Sequence, residues 1–159
     1  MLTIQDLTFA YQAQHPVLNE LSLTLEQGKI HGLVGTNGAG KTTLFQAISG
    51  FLPYQQGDLR WCGQPLSLES VALLEAQQYF YPYLTGLEYL QIFQHYYPKM
   101  EIEVFNTIFQ LPLKQLISTY STGMKKKLSL MAVISMQKPL LVLDEPFNGI
   151  DLEGSFSIQ

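Results

Sequence analysis

One cysteine, Cys62, is present in 159 residues, so no internal disulfide can form. That fits a reducing compartment, and beside Gly63 the residue reads as a small turn side chain. Basic residues are also few: nine Lys and Arg stand against 13 Asp and Glu, giving a net charge of −4. A nucleic-acid binder usually carries a basic patch, and none is legible here. The one basic run is Lys125-Lys126-Lys127. No stretch reaches the roughly 18 apolar residues that a membrane-spanning helix needs, so a membrane role has to come through a partner. Met1 to Asp6 shows no basic stretch leading into an apolar run, and no secretory leader is expected. Internal repeats, low-complexity tracts and linkers are missing too.

What is present suits one globular domain. Leu2 to Tyr11 alternates loosely and reads as a strand. Val17 to Leu25 alternates more clearly, with His15-Pro16 as a turn between the two. Ile30 to Val34 is a short apolar strand that runs into glycines. Thr42 to Phe51 has helical spacing and stops at Gly50 and Pro53. Gly57 to Trp61 and Val71 to Leu74 read as strands, with a turn at Cys62-Gly63. Thr85 with Glu88 forms a capping box, so a helix starts there and stops at Pro98. Ile102 to Gln110 is a further helix, broken by Pro112. Ser121 caps a long helix over about Gly123 to Gln137, ended by Pro139. Leu140 to Leu143 is a continuous apolar run, as expected of a strand buried on both faces. From Asp151 a last helix begins.

Gly35-Thr36-Asn37-Gly38-Ala39-Gly40-Lys41-Thr42 fits the pattern G-x-x-x-x-G-K-[ST] throughout. Glycines let the backbone curl so that successive N–H groups face phosphate oxygens. The helix that follows adds its positive end. Lys41 reaches the β- and γ-phosphates, the Thr42 hydroxyl is placed for Mg²⁺, and Thr43 adds a contact on the α-phosphate side. The other reading, a chance glycine turn before a helix, does not account for strand, loop and helix in this order. A second motif, Leu140 to Leu143 followed by Asp144-Glu145-Pro146, delivers two acids at a strand's C-terminal edge, where α/β sheets bind ligands. Asp144 then sits beside Mg²⁺, and Glu145 polarises the attacking water as general base. Taken alone, such a pair is as often a helix cap.

Tyr120-Ser121-Thr122-Gly123-Met124, whose serine lies 23 residues before Asp144, resembles the signature of ATP-binding-cassette (ABC) ATPases. Ser121 and Gly123 match its commonest form. Thr122 and Met124 depart from it, in a variant familiar among bacterial exporter-type subunits. Asn148-Gly149-Ile150-Asp151 resembles the family's D-loop, and Tyr11 falls where the family stacks an aromatic ring on adenine. The resemblance spans essentially the whole chain. It implies an α/β fold: a P-loop NTPase core sheet, an N-terminal antiparallel β subdomain, and a small helical subdomain at about 78–128 within one ATP-binding domain, 1–159. It also implies ATP and Mg²⁺ as ligands, an integral-membrane permease as partner, and a second ATP-binding subunit packed head to tail. In that dimer Ser121 and the Gly123 N–H contact the γ-phosphate held by the other subunit. The place implied is the cytoplasmic face of the plasma membrane, with export as the direction and no nucleic-acid partner.

Two departures stand out. The family has a Mg²⁺-ligating glutamine after the strand that ends near Leu74; here the segment reads Glu75-Ala76-Gln77-Gln78, and Gln77 is the favoured ligand, with Glu75 as the other choice. The family also continues past the D-loop with further strands and a histidine at the γ-phosphate, whereas His15, His31 and His95 all lie upstream. The expectation is therefore a domain lacking its C-terminal strands. Two other readings stay open, a soluble ABC protein acting on ribosomes or DNA and a fragment without activity. The Lys125–Lys127 run is either solvated charge or support for the signature loop. The aromatic segments Tyr79 to Tyr83 and Tyr96-Tyr97 are either core or a docking surface for the membrane partner.

Overall fold

A computed structural model describes residues 1–12 and 15–147. The chain divides into two compact units, Met1–Leu73 and Leu74–Gln159. The D-loop segment and the helix expected from Asp151 lie outside the described residues.

The first unit is built on an antiparallel sheet of order β2-β1-β3-β4, from β1 (Leu2–Gln12), β2 (His15–Leu25), β3 (Gln56–Trp61) and β4 (Gln64–Pro65). Its core alternation switches phase: Leu2 and Ile4 are buried at even positions, Leu7 and Phe9 at odd ones. An extra residue in a strand restores the face that a register slip would lose. The pairing of β1 with β2 shifts between Ile4 and Leu7, where Asp6 adopts φ 48°. Ser22 Oγ accepts from the Asp6 N–H at 2.9 Å and donates to Asp6 Oδ1 at 3.1 Å. The loose alternation of β1 is thus a bulge locked by a side chain. Gly57, at φ 115°, meets it from β3; a Cβ there would stand 2.6 Å from Leu7 Cα.

Two local expectations are corrected here. His15 and Pro16 are not a turn: they open β2, paired with Gln12 and Ala10. Ile30 to Val34 is not a strand. Ile30 and Val34 are 103% and 94% exposed, and among the described residues no backbone hydrogen bond falls on the run. A strand is defined by its partners, and apolar composition alone does not supply one. The first unit also contains α1 (Lys41–Ile48), which rests on β2, and the start of β5 (Val71–Leu74).

The second unit is mainly helical: α2 (Gly86–Tyr96), α3 (Ile102–Phe109) and α4 (Thr122–Ser135), followed by β6 (Leu140–Leu143). The capping box at α2 is complete, with Thr85 Oγ1 accepting from Glu88 N–H and Glu88 Oε2 accepting from Thr85 N–H. Helix α3 ends on Gln110 in the left-handed region at φ 51°. Helices α2 and α3 pack on α4 around Leu90, Ile117, Leu128 and Met131, all essentially inaccessible. Strand β6 falls short of the burial expected. Leu141 is 39% exposed, and Leu140 and Leu143 are half-buried.

Candidate nucleotide-binding site

In the first unit the phosphate loop leaves residues 35–39 exposed. Gly38 and Gly40 take φ 82° and 86°, conformations that side chains with a Cβ rarely adopt. Gly40 is the N-cap of α1, and a Cβ on it would stand 3.1 Å from Val17. Close approach to β2 therefore adds a second demand for glycine. The Lys41 ammonium arches back over the loop and donates to the Gly35 and Thr36 carbonyls at 2.8 and 2.9 Å. That bond pair holds the loop curled, and it keeps a cation where phosphate oxygens would lie. A cavity of about 200 Å³ runs between β2 and the loop, lined by Val17, Leu33, Val34 and Gly40 among others.

Thr42 is exposed and Thr43 buried. The Thr43 hydroxyl lies 3.4 Å from the Tyr11 hydroxyl, so the structure brings these two site residues together. Tyr11 packs its ring edge-to-face on Phe9, with centroids 4.9 Å apart, yet remains 63% exposed. An exposed ring on a fixed mount is what base stacking requires.

In the second unit Ser121 caps α4, its Oγ accepting from the Met124 N–H at 3.2 Å. Tyr120, just ahead of it, is buried and donates to the Pro112 carbonyl at 2.9 Å. Burial raises the Tyr120 pKa. Gly123 lies half-buried in the first turn. After β6, Asp144 is buried and its N–H donates to the Leu74 carbonyl at 2.8 Å. Glu145 is exposed and takes φ 48°, left-handed for a residue with a long side chain. Such a conformation turns two neighbouring acids in different directions: one buried, one presented. Glu75, Ala76 and Gln77 are all exposed directly after β5. Hydroxyl, carboxylate and amide oxygens such as those of Thr42, Asp144 and Gln77 are hard donors of the kind Mg²⁺ takes.

The sequence left the run Lys125 to Lys127 as either solvated charge or support for the signature loop, and for Lys126 the solvated alternative fails, since it is only 6% exposed. Its Nζ donates to the Ala76 carbonyl at 3.1 Å. Burial lowers its pKa below the ordinary lysine value, and the charges of Glu145 and Asp144 oppose that shift. Helical spacing held the clue, since Lys126 shares a face with buried Leu130 and Val133. The aromatic segments divide: Tyr79, Tyr81, Tyr83 and Tyr96 are exposed, while Phe80 and Tyr97 are half-buried.

The sequence matches the ABC transporter family over residues 18–148. It is 34% identical to an uncharacterized ABC transporter ATP-binding protein, YdbJ, of Bacillus subtilis (strain 168), over 87% of this chain and 48% of that protein. It is 33% identical to the cobalt import ATP-binding protein CbiO of Salmonella paratyphi A (strain ATCC 9150 / SARB42), over 97% of this chain and 63% of that one. The chain spans about half the length of the first curated relatives it matches. Among solved structures, a putative ABC transporter ATP-binding protein from Pyrococcus furiosus superposes with a TM-score of 0.84 at 28% identity, over 96% of this chain and 78% of that one. The fold is therefore that of ABC ATPase domains, with the P-loop NTPase architecture.

Proposed function

This chain belongs to the ABC transporter family, and on that premise we propose that it binds ATP with Mg²⁺ and hydrolyses it to drive transport through an integral-membrane permease. The observation that carries the proposal is the phosphate loop, curled under the Lys41 ammonium and leading through left-handed Gly40 into α1. Gly35, Thr36, Asn37, Gly38, Ala39 and Gly40 offer backbone N–H groups to the phosphates, Lys41 neutralises charge that builds on them, and Tyr11 stacks on the base. Thr42, Asp144 and Gln77 hold Mg²⁺, which when bound neutralises the β- and γ-phosphate oxygens. Glu145 orients the attacking water and takes its proton.

Ser121 and Gly123 serve the nucleotide of a second ATP-binding subunit, packed head to tail. Residues 1–159 belong to one ATP-binding domain, with a helical subdomain at about 78–128 whose exposed tyrosines meet the permease. Among the described residues no helix is long and apolar enough to cross a membrane, and the reading places the protein peripherally on the cytoplasmic face of the plasma membrane. Export is favoured by the signature variant Tyr120 to Met124, although an importer stands among the relatives.

The test pairs binding of a fluorescent ATP analogue with phosphate release. Lys41→Ala should lose binding. Glu145→Gln should keep it and slow hydrolysis about 10²–10⁴-fold, the usual contribution of a general base. A wild-type chain that binds no ATP at millimolar nucleotide with Mg²⁺ overturns the proposal, and so does a Glu145→Gln chain that turns over at the wild-type rate.

A further inference from the structure

Within the second unit, one buried cation joins two elements that the proposed reaction uses separately. Lys126 sits one turn into α4, the helix whose first residues carry the signature, and its Nζ donates to the Ala76 carbonyl in the loop after β5. That loop also carries Gln77. Burying an ammonium is costly unless partners compensate. Here the compensation comes from the Ala76 carbonyl and from the nearby carboxylates of Glu145 and Asp144.

This loop is exposed from Glu75 to Gln77, and Phe80 at its far end packs near the Tyr89 ring. A cavity of about 370 Å³ lies against it, lined by Ala76, Gln78, Tyr79, Phe80, Thr122 and Lys126 among others. The Gln78 side chain turns back to the Glu75 carbonyl, a bond inside the loop. Lys126 supplies a bond from this loop to α4.

We propose that Lys126 is a positioning residue, a latch that makes the signature helix and the loop after β5 move as one body and holds both against the acid pair. It touches none of the reacting atoms. Its consequence for turnover rests on the ATP-hydrolysing reading above; the latch itself does not. A shift of Ser121 and Gly123 is then transmitted to Gln77, and the reverse.

The experiment uses the full chain with Cys62→Ser and Tyr79→Cys, which places a single nitroxide spin label on an exposed residue of the loop. Loop motions of this kind fall in the nanosecond-to-microsecond range. Lys126→Met keeps the length and apolar stem but removes charge and donor. It should shorten the label's rotational correlation time on the order of twofold, and Lys126→Arg should restore it. In turnover, Lys126→Met should lower kcat about tenfold while the affinity for the ATP analogue stays within about twofold, a split that general loss of structure would not give. If Lys126→Met loses its helical circular dichroism, Lys126→Gln, polar and uncharged, takes its place with the same expected spectrum. An unchanged label spectrum, or a mobile label that Lys126→Arg fails to restore, overturns the latch. An inactive wild type would sink the hydrolysis reading alone, and the label comparison still decides the latch.

Discussion

Gly86 opens α2 beneath Tyr120, and this pair yields a prediction with a definite sign. A Cβ at Gly86 would stand 2.4 Å from Tyr120 Oη, but 3.2 Å from Cζ and 3.3 Å from Leu113 Cδ2. The hydroxyl is therefore the obstacle. Tyr120→Phe removes its bond to the Pro112 carbonyl, which still accepts from Gln115 N–H at 2.9 Å. The cost should be about 1 kcal/mol, because no acceptor is left without a partner. Gly86→Ala forces the ring aside, losing the same bond and adding overpacking of about 1–3 kcal/mol, less a few tenths for better helix propensity. The double variant needs only a few tenths of an ångström of give from Cζ and Leu113. It should cost about 1–1.5 kcal/mol, where simple addition gives about 3–4.5, a coupling of about 2–3 kcal/mol. Urea unfolding followed by circular dichroism at 222 nm reads this as a midpoint difference of about 1 M, given typical urea slopes of 1–3 kcal/mol/M. Effects that add within about 0.5 kcal/mol would refute the reasoning. The pair matters for function because Tyr120 immediately precedes Ser121, the residue that caps the signature helix.

Thr85→Ala removes the α2 cap and should cost about 1 kcal/mol in the same assay. The Glu88 carboxyl, held below its ordinary pKa by its bonds to the Thr85 backbone and hydroxyl, should titrate upward by NMR in that variant. Burial pushes the Tyr89 phenol up from 10.0 to about 12. The folded state then keeps a proton that the unfolded state loses, so stability is full below pH 10 and falls by roughly 2–3 kcal/mol as pH rises through 12. Tyr89→Phe should flatten that alkaline loss in denaturation curves taken at pH 9 and pH 11. Gly57→Ala places a Cβ against the β1 backbone at a left-handed φ. It should cost about 3 kcal/mol, read by the fluorescence of Trp61 in the same strand.

Elements whose ends are set by local chemistry were legible in the sequence. Thr85 with Glu88, Ser121, Pro98 and Pro139 mark their helices to within a residue or two, because a cap or a missing N–H acts within one turn. The phosphate loop was legible for the same reason: glycine positions and one lysine define it. What could not be read depends on distant partners. The bulge at Asp6 is fixed by Ser22, sixteen residues on, and β4 exists only because Arg60 and Trp61 pair with Pro65 and Gln64. Ile30 to Val34 has strand composition and no partner among the described residues. Lys126 is a polar residue in a buried stripe, and its partners, the Ala76 carbonyl and the carboxylates of Glu145 and Asp144, lie far from it in the sequence or beyond its helix.

The two motif helices begin in different ways, and the difference bears on what each end does. At α1 the N-cap is Gly40, which has no side chain with which to cap the first turn. Glycine there leaves the N-terminal dipole to whatever anion arrives. At α4 the Ser121 hydroxyl already accepts from the Met124 N–H. That end is stable without a ligand, and an anion approaching it meets a hydroxyl with a proton to donate. A tightly held phosphate group suits the first arrangement. A contact that forms and breaks suits the second, because its helix is capped in the interval. The latch from Lys126 to the loop after β5 then has a helix of constant shape to act through.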